Sequence, residues 1–161
     1  MSSSITDTEK IVPVEISTSI KNTILDLILE QLMKGTECPN PVLNIYTAGG
    51  PDTGTLLASF ALNNPPFSRA NNGRAKIHDI PNTIAINSGD AREGVFFNKN
   101  FDIVMKCTVG SLADTNANLI LYQGGVPEED SAFVRAGYSI RLNTAYITIN
   151  ERILQHYTSY R

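Results

Sequence analysis

Gly54-Thr55-Leu56-Leu57-Ala58-Ser59-Phe60-Ala61-Leu62-Asn63-Asn64-Pro65-Pro66-Phe67 is the stretch whose reading decides the fold. Leu56, Ala58, Phe60 and Leu62 occupy alternate positions, separated by Leu57, Ser59 and Ala61. Successive side chains of an extended chain point to opposite faces of a sheet, so this spacing predicts a half-buried strand. Asn63-Asn64-Pro65-Pro66 then stops it, because proline has no N–H for a ladder and asparagine favours turns.

The same pattern recurs on both sides. Leu43 and Ile45 alternate with Asn44 and Tyr46, and Phe101, Ile103 and Met105 with Asp102, Val104 and Lys106. Leu119 and Leu121 follow, then Tyr138, Ile140 and Leu142 against Ser139, Arg141 and Asn143, and Ala145, Ile147 and Ile149 close the series. Fainter strand signals cover 75–78, 84–86 and 95–97. Gly49-Gly50-Pro51-Asp52, Asn71-Asn72-Gly73, Ser88-Gly89-Asp90 and Gly124-Gly125 supply the turns. Short strands punctuated this regularly predict a mainly β fold, an antiparallel β-sandwich.

One N-terminal α-helix precedes the strands, over Thr18 to Lys34. Ile20, Ile24, Leu27, Ile28 and Leu32 have the spacing of a buried stripe, with Lys21, Asn22, Asp26, Glu30 and Gln31 on the other side. Ser17 or Thr18 can cap its start, and Gly35 sits where a left-handed residue ends a helix. Leu25, Leu29 and Met33 widen the apolar face, as suits a helix covering one end of the core or wedged against a neighbour.

The expected organisation is an extended N-terminal arm over 1–16, a single domain over 17–149 and a C-terminal tail over 150–161. In the arm, Ile11, Val12, Val14 and Ile16 form a strand-like run around Pro13, suited to a sheet edge or a partner. In the tail, Ile153, Leu154, Tyr157 and Tyr160 stand among polar residues, and tyrosine anchors contacts well because its ring is apolar and its hydroxyl tolerates water. These eight residues are the candidate partner interface.

The chain has 161 residues, 42% hydrophobic and 18% charged, with a net charge of −3. That balance belongs to one folded domain, not a disordered chain. The negative charge argues against nucleic acid as a direct partner. Arg69, Arg74 and Lys76 read as a solvated loop. No secretory signal is visible at the start, and no apolar run approaches a membrane span. Cys38 and Cys107 are far apart with no CxxC pair; two free thiols or one bridge are both open to them, and the free state is expected for a protein made in a cytosol.

Chemistry is hard to find. Gly49-x4-Gly54-Thr55 has the outer spacing of a phosphate loop, but it lacks the lysine and leads into a strand where a helix is needed. His78 and His156 have no second ligand nearby, and His78 beside Asp79 on a strand would point to opposite faces. Glu128-Glu129-Asp130 reads as a solvated acidic loop. No catalytic residue, cofactor or metal is expected, and the chain reads as a non-enzyme.

Leu43-Asn44-Ile45-Tyr46, Gly54-Thr55-Leu56-Leu57-Ala58 and Leu62-x-x-Pro-x-Phe67 followed by Asn72-Gly73 resemble, in order and spacing, a family of small tailed-phage virion structural proteins. Ala91 to Gly94, Val109-Gly110, Asn118-Leu119-Ile120-Leu121 and Gly137-Tyr138-Ser139-Ile140 continue the resemblance, which covers about Ile20 to Ile149. It implies a jelly-roll-like cement or decoration protein of the capsid. Its partner would be the major capsid protein or other virion subunits, its state a homo-oligomer (dimer or trimer), and its location the virion, after synthesis in the host cytoplasm. The longer arm, the tyrosine-bearing tail and an insertion around Val126 to Val134 depart from the family pattern. A tail, neck or baseplate subunit is the alternative, and a carbohydrate-binding module a weaker one, since the chain has no tryptophan.

Overall fold

The structure, a computed structural model, describes Lys10 and residues 14–114, 117–123, 132–143 and 146–149. The chain enters through α1 (Thr18–Met33), whose first turn is capped by the Ser17 hydroxyl accepting the Ile20 N–H at 3.2 Å. Gly35, at φ +113°, takes the chain out of the helix in a conformation that suits only glycine well.

After α1 come β1 (Val42–Tyr46), the single turn α2 (Gly50–Thr53), β2 (Leu56–Ala61), β3 (Arg74–Lys76), β4 (Thr83–Ile84) and β5 (Gly89–Asp90). β6 (Glu93–Phe97), β7 (Ile103–Gly110), β8 (Leu119–Gln123), β9 (Phe133–Val134), β10 (Ser139–Asn143) and β11 (Tyr146–Thr148) complete the order. Seven strands form one sheet in the order β2-β1-β6-β7-β8-β10-β4, and β11–β3 and β5–β9 form two small sheets. Pairing is antiparallel throughout except between β7 and β8, where Val109 meets Leu119 and Gly110 meets Ile120 in parallel.

The large sheet curls until its ends meet. Ile86 N–H donates to Leu57 O at 2.7 Å, and the Asn87 side-chain amide donates to Leu56 O at 2.8 Å, tying the segment after β4 to β2. The result is a nearly closed, barrel-like form of the β-sandwich that the alternation predicts.

Leu43 and Ile45 on β1, Leu57 and Phe60 on β2, and Phe96, Leu121 and Ile140 point into the main core. α1 and the β3–β11 pair cap its open side, α1 contributing Leu32. A second apolar cluster lies on the opposite face of β1 and β6, where Tyr46, Val95 and Phe97 are buried and Leu56 packs against them.

Several expectations are corrected here. The helix buries Leu25 and Leu32, with Ile28 and Leu29 half-buried, whereas Ile20 and Leu27 are 52% and 53% exposed. The cause is polar. Asn22 accepts the Gly73 N–H at 2.9 Å and Asp26 the Ala70 N–H at 2.8 Å, so the face read as solvent-exposed holds the 69–73 loop and rotates the helix. That loop is also not simply solvated: Arg69 pairs with Asp26 at 3.7 Å, while Arg74 and Lys76 belong to β3.

On β2 the buried residues are Leu57, Ala58 and Phe60, with Leu62 buried just after it, and Leu56 turns to the other face beside a register shift between Ile45 and Tyr46. Phe101 does not share a strand face with Met105. It sits in the 98–102 turn at φ +62°, exposed, while Ile103 faces Phe97 through a register shift between Phe96 and Phe97.

Candidate functional site

Two features stand apart from the packed core, an outward apolar face and a half-open cavity of mixed lining. The face is built by alternation. Ala85 is buried, so its neighbours Ile84 and Ile86 point outward, 56% and 55% exposed. Ile84 lies opposite Ser139 on β10, and Ala85 exchanges backbone hydrogen bonds with this strand's approach, donating to Tyr138 O and accepting from Gly137 N–H. Two residues along β10, Arg141 is paired in register with Tyr122 of β8 and stacks its guanidinium 4.3 Å from the ring centre. Ile84 on β4 and Ile86 two residues on thus place apolar side chains outward near an Arg–Tyr stack.

The cavity has a volume of about 510 Å³ and lies between the sheet and the layer that caps it. Ile28 of α1, Ile77 after β3, Phe96, Leu119, Ile147 and Ile149 supply apolar walls. Met105 and Cys107 add the sulfur atoms of β7, and Lys106, Asn118 and Thr148 supply polar groups. Above it Arg74 lies 4.3 Å from the ring centre of Tyr146, pinning β3 to β11 across their pairing.

Cys107 owes its place to Gly94. A Cβ at Gly94 would stand 2.9 Å from the Cys107 sulfur, so only glycine on β6 leaves room for the thiol. Burial pushes this thiol up to about 12, helped by the nearby Glu93 carboxylate and opposed by a backbone hydrogen bond from Gly94. At neutral pH it is a protonated, packed thiol and a poor nucleophile. Cys38 is also free.

The other chemical candidates resolve as structural groups. His78 places Nδ1 2.9 Å from Pro65 O, so this nitrogen carries the proton and donates. Asp79 receives the Asn63 side-chain amide on its backbone oxygen at 2.6 Å. The glycine-flanked loop before β2 closes into α2 and leads directly into a strand. A hollow of about 360 Å³ near Asp90, Arg92, Ser111 and Asp114 is polar. Among the described residues, no three His, Cys, Asp or Glu side chains gather as a metal site, and no helix is long and apolar enough to cross a membrane.

No protein-family model, curated protein or solved structure matches the chain.

Of the interface candidates read from sequence, Val14 is 58% exposed and Ile16 half-buried, just ahead of α1. Ile11, Val12, Ile153, Leu154, Tyr157 and Tyr160 lie outside the described residues, as does the Glu128–Asp130 run. Sequence reading missed Ile84 and Ile86 as surface residues. The signal was there, two isoleucines flanking a small alanine, but the segment is too short to say which face is inward.

Proposed function

We propose that this chain is a non-enzymatic structural protein of a phage virion, a cement or decoration protein that binds the assembled head shell. The observation that carries the reading is the outward apolar pair Ile84 and Ile86 on the β4 wall, with Arg141 stacked on Tyr122 nearby. Apolar side chains held on a sheet face lose water contact at no ordering cost when a partner covers them, which suits docking onto a lattice. The resemblance to small tailed-phage virion proteins supplies the partner class, the major capsid protein or another virion subunit. Val14 and Ile16 extend the contact set toward the N-terminal arm. The protonated state of Cys107 supports a packing role for that residue over a catalytic one.

The mechanism is linkage. A protein that binds the assembled shell and not free subunits stabilises the shell by mass action. Self-association as a dimer or trimer would place copies about a lattice symmetry axis.

The test is electron cryo-microscopy of particles containing the protein, together with a binding assay of Ile84→Glu/Ile86→Glu. Density on the outer head surface, and loss of shell binding in the double variant, are expected. Density confined to neck or tail would replace the decoration role with a tail, neck or baseplate subunit. Particles without the protein would remove the virion reading altogether.

A further inference from the structure

We infer that the half-open cavity between β7 and β11 seats one extended strand of a partner protein, a segment in which apolar residues alternate with acidic ones. The sheet itself marks the place. Val109 and Gly110 of β7 meet Leu119 and Ile120 of β8, and Ile120 and Leu121 in turn meet Asn143 and Leu142 of β10. Counting back along these pairs, a β8 that began earlier would run between Lys106 and Ile147. The chain takes another path there: Asp114 O accepts the Ala117 N–H at 3.3 Å in a turn, and β8 begins only at Leu119. Met105, Lys106 and Cys107 on one bank and Tyr146, Ile147 and Thr148 on the other line the lane that is left.

Both banks offer strand backbone. Arg92 O accepts the Val109 N–H at 3.0 Å, and Cys107 lies opposite Gly94, so alternate residues of β7 bond to β6. Lys106 falls between them and turns its N–H and C=O into the lane, where neither finds a backbone partner among the described residues. The Thr108 N–H is already taken by the Asn118 side chain at 2.9 Å, which closes one end. Among the described residues β11 pairs with β3 alone. An open backbone edge is a template for an added strand, with main-chain bonds supplying affinity and side-chain contacts selectivity.

The side chains along the lane select the occupant. Alternate residues of an extended segment point to opposite faces. Its inner residues would meet Ile28, Ile77, Phe96 and Leu119. Its outer residues would meet Lys106 on one bank and, beyond β11, the exposed Arg74 and Lys76 of β3. Lys106 has the Glu93 carboxylate 3.8 Å away and is still 48% exposed. Three cations around one lane, on a chain whose net charge is −3, favour an acidic segment. A lane banked on both sides admits a single strand rather than the sheet edge of a second folded copy. This inference does not rest on the proposed function, since it concerns a different surface and no particular assembly.

The test uses the full-length chain and two capped, fluorescently labelled peptides, one alternating valine with glutamate and the other valine with lysine. Fluorescence anisotropy is expected to show the glutamate peptide binding at least about tenfold more tightly than the lysine peptide. Amide exchange at Lys106 is expected to be fast in the free chain and about tenfold or more slower with the glutamate peptide bound. Lys106→Pro deletes the N–H that faces the lane while leaving the bonds to β6, and is expected to abolish binding. Lys106→Gln, which keeps the N–H and loses the charge, is expected to weaken binding and retain the slowed exchange, so the reading stands on this variant if proline disturbs the strand. Equal binding of the two peptides, binding of neither, or protection that appears at Ile86 and not at Lys106 would overturn the inference. So would a Lys106 amide already slow to exchange in the free chain, since the lane would then be filled by the chain itself.

Discussion

Thr108 and Asn118 hold each other at both ends. The Asn118 side-chain oxygen accepts the Thr108 backbone N–H at 2.9 Å and the Thr108 hydroxyl at 3.1 Å, and that hydroxyl accepts the Asn118 N–H at 2.9 Å. The pair sits one residue ahead of the parallel contact between Val109 and Leu119 and extends it with side-chain bonds. Parallel neighbours normally need a connection of a dozen or more residues, and here the chain returns through 111–118 alone. Asn118→Ala is expected to cost about 1–2 kcal/mol, since it removes two side-chain bonds of roughly a kcal/mol or less each at an exposed site. Urea unfolding checks it; an unchanged midpoint would mean the backbone pairing suffices.

Gly94→Ala tests the close approach of β6 to Cys107. The added methyl would also meet Val109 at 3.3 Å and Leu43 at 3.4 Å. Overpacking of this kind costs about 1–3 kcal/mol. Adding Cys107→Ala removes the closest obstacle, so the double variant is expected to recover part of the loss in a double-mutant cycle. Strictly additive effects would exclude the sulfur as the obstacle.

Cys107 also predicts a stability loss in alkali. Its thiol titrates at about 12 in the folded chain against an ordinary 9.0. Between those values the unfolded chain has released a proton that the folded chain still holds, so stability falls as pH rises from 9 towards 12. The slope is at most about 1.4 kcal/mol per pH unit. Denaturant titrations at pH 8 and pH 10.5 on the parent and on Cys107→Ser measure it, and the serine variant is expected to lack this contribution.

The orientation of α1 separates two leucines that sequence periodicity treats alike. Leu32→Ala is expected to cost about 2–5 kcal/mol because the side chain is fully enclosed. Leu27→Ala should change stability by no more than about 0.5 kcal/mol. Equal losses would place Leu27 in a contact.

Asp26 is expected to matter more than an exposed carboxylate does. It accepts the Ala70 N–H at 2.8 Å and faces Arg69, so Asp26→Ala should free the 69–73 loop at a cost of about 1–2 kcal/mol. Faster amide exchange at Ala70 and Gly73 would mark the release, since Asn22 holds the second of these from the same helix face.

What the sequence made legible follows from local physics. Alternation located β1, β2, β8 and β10, and the cap at Ser17 and the break at Gly35 bounded the helix within a residue or so. It put Leu32 and Ile28 inward correctly but misplaced Ile20 and Leu27, because Asn22 and Asp26 look like solvent residues until the distant 69–73 backbone appears beside them. Phe101 was misassigned to the strand that starts at Ile103, because a turn with a left-handed residue and a register shift near Phe97 break strict two-residue counting, and no residue type announces them. The cavity was not legible at all. Its walls come from α1, the residue after β3, β6, β7, β8 and β11, and only the tertiary fold brings them together.

The bonds from Ile86 and Asn87 to Leu57 and Leu56 have a consequence for crowded copies of this chain. An open sheet ends in rows of unpaired N–H and C=O groups, and such an edge can recruit the same edge of another molecule without limit. Here the two ends of the large sheet are spent on each other. Copies held side by side at high density therefore meet a shortened template for strand addition at that seam.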